Sequence, residues 1–165
     1  MAPEGRTRFI ADVNVGRLAK WLRALGYDTL FFKEIDDDSL VRIGLAEGRV
    51  VLTRDSRLME RRVAALGPLK AILIRAEEVL LQLKQVVESL GLDCRRRPFS
   101  LCLECNEGLE SVPRTEVRSQ VPPYVFETQP SFHRCPSCRK VYWQGTHWQR
   151  MSEELERACL AEMAE

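Results

Sequence analysis

Two pairs of cysteines, each with the spacing Cys-x-x-Cys, constrain the second half of this sequence more than any other feature. The pairs are Cys102 with Cys105 and Cys135 with Cys138. Two such pairs separated by a loop converge on one tetrahedral Zn²⁺ with four thiolate ligands, whereas a disulfide inside one pair would make a redox device. Because four thiolates fill the coordination sphere, we predict a structural zinc centre.

The other two of the six cysteines, Cys94 and Cys159, have no partner at this spacing. A free cysteine inside a protein behaves as a small apolar side chain. We therefore predict that both are buried free thiols.

The segment 1–93 alternates short aliphatic runs with amphipathic helical patterns. The runs at 8–11, 27–32, 50–52 and 71–74 predict β-strands, and a helical pattern follows each of them. Parallel neighbours in a sheet need a crossover, which is usually a helix. The alternation therefore predicts an α/β domain with a mostly parallel sheet.

The pattern changes at residue 94. Helical periodicity is lost, five prolines fall between 98 and 130, and the cysteine pairs follow. We predict an α/β domain over 1–93, a zinc-ribbon module over 94–150, and a C-terminal helix over 151–165 that packs back on the body.

Charge and hydropathy exclude two classes of protein. The net charge is +1, with 25 basic and 24 acidic residues, so the chain is not a polycation that coats nucleic acid by charge alone. No segment approaches the ~20 apolar residues of a membrane span, and the start has no apolar run of signal-peptide length. We expect a cytoplasmic protein without a membrane segment.

All the aspartates of the chain lie in the segment 1–93. Asp12, the run 36–38 and Asp55 each follow a predicted strand. Ligands of open parallel sheets bind outside the carboxyl ends of the strands, so these carboxylates are expected at one edge. Crowded carboxylates favour Mg²⁺ or Mn²⁺, which suits phosphodiester hydrolysis. The alternative is that Asp37, Asp38 or Asp55 only caps a helix.

Longer motifs make the sequence resemble a known family. The first half reads Phe9-Ile-Ala-Asp12-Val-Asn14, then Asp36-Asp-Asp-Ser-Leu40, then Thr53-Arg-Asp55, and the second half reads Cys102-Leu-Glu-Cys105-Asn106 and Cys135-Pro-Ser-Cys138-Arg-Lys140. In this order the motifs resemble the Mut-seven C-terminal RNase domain family over about residues 8 to 150.

The resemblance implies a PIN-like three-layer domain fused to a zinc ribbon, with metal-dependent ribonuclease activity. The implied catalytic carboxylates are Asp12, Asp37, Asp38 and Asp55, with Asp12, Asp55 and one of Asp37 and Asp38 as Mg²⁺ or Mn²⁺ ligands. PIN-like sites usually gather a fourth acidic residue, for which the nearest candidates after Ile74 are Glu77 and Glu78.

Cations interleaved with aromatic rings suggest where single-stranded RNA binds. Phosphates pair with cations and bases stack on rings, and adjacent arginines rarely all find carboxylate partners. The candidates are Arg95, Arg96, Arg97, Arg139, Lys140, Trp143 and His147. Two alternatives to RNA binding remain. The arginines could form a solvated charged face, and the tryptophan could pack in the small core under the zinc.

Two functions from different classes follow. One is a metal-dependent ribonuclease that uses the aspartate cluster. The other is a non-catalytic RNA-binding protein, or a component of an RNA-containing assembly, in which the aspartates only cap helices. RNA binding that needs no divalent metal would favour the second function.

Overall fold

A four-stranded parallel sheet forms the centre of the N-terminal part of the protein. In this computed structural model, which describes residues 7–160, the strand order is β2-β1-β3-β4. The strands are β1 (Phe9–Ala11), β2 (Thr29–Phe31), β3 (Val50–Thr53) and β4 (Ala71–Leu73). The predicted α/β architecture is confirmed, and each strand lies inside its predicted run or extends it by one residue.

Helices cover both faces of this sheet. One layer contains α1 (Gly16–Ala24) and α5 (Val79–Leu90), and the other contains α2 (Asp37–Glu47), α3 (Ser56–Glu60) and α4 (Arg62–Ala65). Successive residues of a strand point to opposite faces. Phe9 and Ala11 of β1 therefore join the core beneath α1 and α5, while Ile10 joins the core beneath α2 and α3.

The helix that was predicted after Asp55 is divided in two. Arg61 has φ −60° and ψ 142°, an extended conformation that separates α3 from α4. Glycines end two other helices of this domain, since Gly48 and Gly91 follow α2 and α5 with φ of 64° and 61°. Left-handed φ values of this kind suit glycine because it has no Cβ.

A three-stranded antiparallel sheet forms the cysteine-rich part. Its order is β5-β6-β7, with β5 (Glu110–Val112), β6 (Phe132–Arg134) and β7 (Val141–Tyr142). Its small core contains Val117, Val121 and Phe132. A short helix, α6 (Pro123–Thr128), interrupts the segment that showed no helical periodicity, and its length of six residues explains why no period was visible.

The C-terminal helix, α7 (Thr146–Leu160), begins before the predicted position of Met151. Met151, Leu155 and Ala158 pack into the same core as α1 and α5. Residues 161–165 of the predicted helix lie outside the described part of the chain. None of the helices within residues 7–160 has the length and apolar character needed to cross a membrane.

The prediction of two free thiols at Cys94 and Cys159 is wrong, because these residues form a disulfide across 65 positions of sequence. Cys94 follows α5 and Cys159 lies near the end of α7, and the packing of α7 on α5 brings them together. That packing has no signature in local spacing. Disulfides are uncommon in a reducing cytoplasm, so the bond also bears on the predicted location, which stays a prediction.

The double variant Cys94→Ala/Cys159→Ala should lower the free energy of unfolding by about 2–4 kcal/mol, because the disulfide restricts the unfolded chain. Urea unfolding of both proteins without reductant measures the difference. After reduction with a phosphine, the wild type should unfold close to the variant. Equal stability of the two unreduced proteins would contradict the prediction.

Candidate functional site

The four cysteines of the two pairs converge, as their spacing predicts. Their sulfur atoms all lie within 4.8 Å of one another, and no other His, Cys, Asp or Glu group within residues 7–160 is arranged to share a metal ion among three or more side chains. The Cys102 and Cys138 sulfurs are 3.7 Å apart. Two thiolates on one tetrahedral Zn²⁺, with Zn–S of ~2.3 Å, would be about 3.8 Å apart. The four sulfurs are therefore grouped closely enough to share one Zn²⁺.

Each pair sits on the same kind of turn. In the first, the backbone N–H of Cys105 donates to the Cys102 sulfur at 3.4 Å, and in the second the N–H of Cys138 donates to the Cys135 sulfur at 3.4 Å. The residue after each pair, Asn106 or Arg139, has φ 69°. Asparagine tolerates this left-handed conformation better than arginine does.

The thiols differ in how readily they ionise. Burial opposes ionisation of Cys102, but hydrogen bonds from the Tyr142 hydroxyl and from backbone amides outweigh it and lower the pKa of this thiol to about 7. A side-chain hydrogen bond with Cys138, burial and the neighbouring sulfurs raise the pKa of Cys105 to about 12. Four thiolates therefore cannot coexist here without a cation to neutralise them.

Buried polar contacts attach the first cysteine turn to the α/β domain. The Arg23 guanidinium, on α1, donates to the Leu103 carbonyl at 2.8 Å and to the Thr29 carbonyl at 2.9 Å. The Asn106 side chain accepts from the Thr29 N–H at 2.9 Å and donates to Asp28 at 2.7 Å. Sequence reasoning missed Arg23, because nothing in the neighbouring sequence indicates that this arginine is buried.

Burial and hydrogen bonding at this attachment shift the pKa values of two charged groups. Burial lowers the pKa of Arg23, although the nearby cysteines and Glu104 oppose the shift. For Asp28, burial acts against ionisation, but hydrogen bonds from Arg49 and Asn106 outweigh it and lower the pKa of the carboxyl. Both groups are therefore charged partners in the contact between the two parts of the protein.

The acidic edge, defined here by Asp12, Asn14, Thr53 and Asp55, lies at the carboxyl ends of β1 and β3. Strand order reverses between these strands, which is where ligands of open α/β sheets bind. The Thr53 hydroxyl donates to Asp12 at 2.7 Å and accepts from the Asp55 N–H at 3.0 Å. Thr53 thus connects the Asp12 carboxylate to the backbone of Asp55, whose own carboxylate caps α3 by accepting from the Arg57 N–H at 2.9 Å.

The remaining predicted acidic residues are engaged elsewhere. Arg61 pairs with Asp38 at 2.7 Å and lies 4.0 Å from Asp37. Asp36 caps α2 by accepting from the Ser39 N–H at 2.7 Å. Glu78, a candidate for the fourth acid, caps α5. The structure therefore links Asp12 to the backbone of Asp55 through Thr53, while the Asp55 carboxylate lies 3.4 Å from the exposed Arg57 side chain and Asp37 and Asp38 lie beside Arg61.

The predicted nucleic-acid-binding residues fall into two groups. Arg97, Lys140, Trp143 and His147 line one cavity between the cysteine-rich part and the α/β domain, together with Lys20, which sequence reasoning did not single out. Arg95, Arg96 and Arg139 are exposed and lie outside that lining. Trp143 also packs edge-to-face on Phe132, with ring centroids 6.4 Å apart, so part of its ring surface is used in packing.

A family model described as the Mut7-C RNAse domain matches residues 7–155. The chain belongs to the Mut7-C RNAse domain family. The match runs through the acidic edge and both cysteine pairs, so the resemblance of the sequence is confirmed over nearly the whole chain. Membership of the Mut7-C family suggests a ribonuclease-like function with RNA as substrate. No curated protein and no solved structure matches the sequence.

The purified protein should contain one Zn²⁺ per chain, and Cys135→Ser should lose it, because three thiolates bind the ion far more weakly than four. Elemental analysis gives the stoichiometry. Ser137→Ala, in the same turn, is the matched control and should keep the metal. Full zinc content in the Cys135→Ser protein would show that the ligand set is wrong.

Zinc uptake at pH 7 should release protons, because the pKa of Cys105, raised to about 12, and the raised pKa of buried Cys135 keep those thiols protonated until the ion binds. As pH falls below 7, Cys102 also becomes protonated, so zinc affinity should fall with acidification. Calorimetry in two buffers with different ionisation enthalpies measures the proton count. A heat of binding that does not depend on the buffer would contradict this prediction.

Proposed function

We propose that this protein is a metal-dependent ribonuclease that hydrolyses single-stranded RNA at the acidic edge. The observation that carries the proposal is the buried carboxylate of Asp12, joined through Thr53 to Asp55 at the reversal of strand order. Family membership supports RNA as the substrate class.

The surroundings of Asp12 suit a bound cation. Its side chain is only 4% exposed, and within residues 7–160 no lysine or arginine forms an ion pair with it. Its oxygens accept instead from the Thr53 hydroxyl at 2.7 Å and from the Val13 N–H at 2.8 Å. Burying a carboxylate is costly without a positive partner, which a metal ion would supply.

The donor set fits Mg²⁺ or Mn²⁺. Mg²⁺ in phosphoryl-transfer sites is usually held by one or two carboxylates together with waters and substrate phosphate. Asp12 and Asp55 would hold the ion in this way. When bound, it would neutralise phosphate charge and supply an activated water for in-line attack on a phosphodiester.

Other residues would orient the carboxylates of the acidic edge or add to them. Thr53 fixes the orientation of Asp12, and the Asn14 side chain accepts from the Arg54 N–H at 3.1 Å, which orders the turn after β3. Asp37 and Asp38 serve as further ligands only when Arg61 releases them. Because a phosphate competes for a guanidinium, RNA at this edge would favour that release.

RNA is proposed to approach across the basic residues of the cysteine-rich part. The zinc centre has a structural role in this proposal, because four cysteines leave no position for water or substrate. The proposed contacts are Arg95, Arg96, Arg97, Arg139, Lys140, Trp143 and His147.

A non-catalytic RNA-binding protein is the second candidate. The observation that favours it is the engagement of Asp37 and Asp38 with Arg61, which leaves the acidic edge with two carboxylates. In that case RNA affinity should fall steeply with salt and should not depend on divalent metal.

The variants Asp12→Asn and Asp55→Asn should each reduce Mn²⁺-dependent cleavage of labelled single-stranded RNA by about a hundredfold or more, because each removes a negative metal ligand. Asparagine keeps the size of the side chain and can still accept a hydrogen bond from the Thr53 hydroxyl. Calorimetry with Mn²⁺ on the same proteins tests binding apart from cleavage.

Glu88→Gln, at an exposed position of α5, is the matched control and should leave both measurements unchanged. Cleavage that survives both aspartate variants would show that the activity belongs elsewhere. Absence of Mn²⁺ binding by the wild type, with intact RNA binding, would favour the second candidate.

A further inference from the structure

A cavity of about 980 Å³ lies between the cysteine-rich part and the α/β domain. Its lining includes Arg8 and Asp28, which precede β1 and β2, and residues of the first turn of α7. Small-molecule sites in proteins have volumes of ~300–1,000 Å³. The cavity is therefore large enough for a ligand.

The charges around this cavity favour an anion. Lys20, Arg97 and Lys140 line it, and so do both histidines of the chain. Among the described residues in the lining, Asp28 is the only carboxylate, and it is already held by Arg49 at 2.8 Å and Asn106 at 2.7 Å. Lys140 has a carboxylate neighbour at 3.7 Å, whereas Lys20 forms no ion pair within residues 7–160.

Aromatic rings stand beside these cations. Trp143 and Trp148 both line the cavity and are partly exposed. Trp148 contacts Phe99 with ring centroids 5.0 Å apart. A Cβ on Gly145 would lie 2.8 Å from the indole nitrogen of Trp143, so the absence of a side chain at this position lets the ring lie directly against the backbone at the start of α7.

We infer that this cavity binds a nucleotide, with its base against Trp143 or Trp148 and its phosphate against Lys20, Arg97 and His147. Base stacking on aromatic side chains combined with phosphate pairing to cations is the chemistry by which proteins hold single-stranded nucleic acid. The amides at the start of α7 add to the positive field. The same chemistry suits a free mononucleotide and a nucleotide within RNA.

The cavity and the acidic edge are at opposite ends of the strands. Arg8 precedes β1 and Asp12 follows it, a separation of about 13 Å along an extended chain. A nucleotide in the cavity is therefore not the one that Asp12 would act on. Where RNA is the source, the inference rests on the proposed function and makes the cavity an anchoring site remote from the scissile bond.

Binding to the zinc-loaded full chain, without added divalent cation, tests the inference apart from cleavage. The probes are AMP, measured by calorimetry, and a labelled single-stranded oligoribonucleotide, measured by fluorescence anisotropy. The variants are Lys20→Ala, Arg97→Ala and His147→Ala, which spare the tryptophans that pack in the ribbon. Lys84→Ala, a half-buried lysine on α5 outside the cavity, is the matched control.

Each of the three variants should weaken binding of at least one probe by about tenfold, while Lys84→Ala leaves it unchanged. Saturable binding of AMP would identify a site for free nucleotides, and binding of the oligonucleotide alone would identify an RNA anchor. Failure of both probes to bind, or equal affinity of the wild type and the three variants, would overturn the inference. Neither result depends on whether the acidic edge cleaves RNA.

Discussion

The buried guanidinium of Arg23 is the contact on which the arrangement of the two parts of this protein depends. It extends from α1 to the Leu103 carbonyl inside the first cysteine turn, and also to the Thr29 carbonyl at the start of β2. Removing it would leave two carbonyl groups without a donor in a region closed to water. Arg23 thus holds the first cysteine turn against the sheet, and the Asn106 contacts with Thr29 and Asp28 act beside it.

Local patterns predicted the elements of this fold, and longer-range contacts decided how they meet. Strand runs, glycine helix ends and the Cys-x-x-Cys spacing each depend on a few neighbouring residues, which is why the sheet and the four-cysteine group could be predicted. The Cys94–Cys159 disulfide and the Asn106 contact with Asp28 join residues 65 and 78 positions apart. Nothing in the local sequence distinguishes such residues from exposed polar or unpaired ones.

The aspartates show why the sequence alone could not distinguish a candidate metal ligand from a residue that only caps a helix. Asp36 and Asp55 both accept hydrogen bonds from the first turn of the following helix. Asp55 also follows Thr53, whose hydroxyl links it to buried Asp12, and that difference appears only when two strands lie side by side. Helix capping and a place at the acidic edge are therefore compatible for the same residue.

The disulfide between Cys94 and Cys159 encloses the whole cysteine-rich part between two points on one helical layer. A ribbon that came away from the sheet would still be tethered at both ends, so its return would be an intramolecular event at high effective concentration. The ribbon in this chain therefore behaves as a closed loop of the α/β domain. It is not a separate domain that a single linker joins to the rest of the chain, of the kind that recombination could exchange.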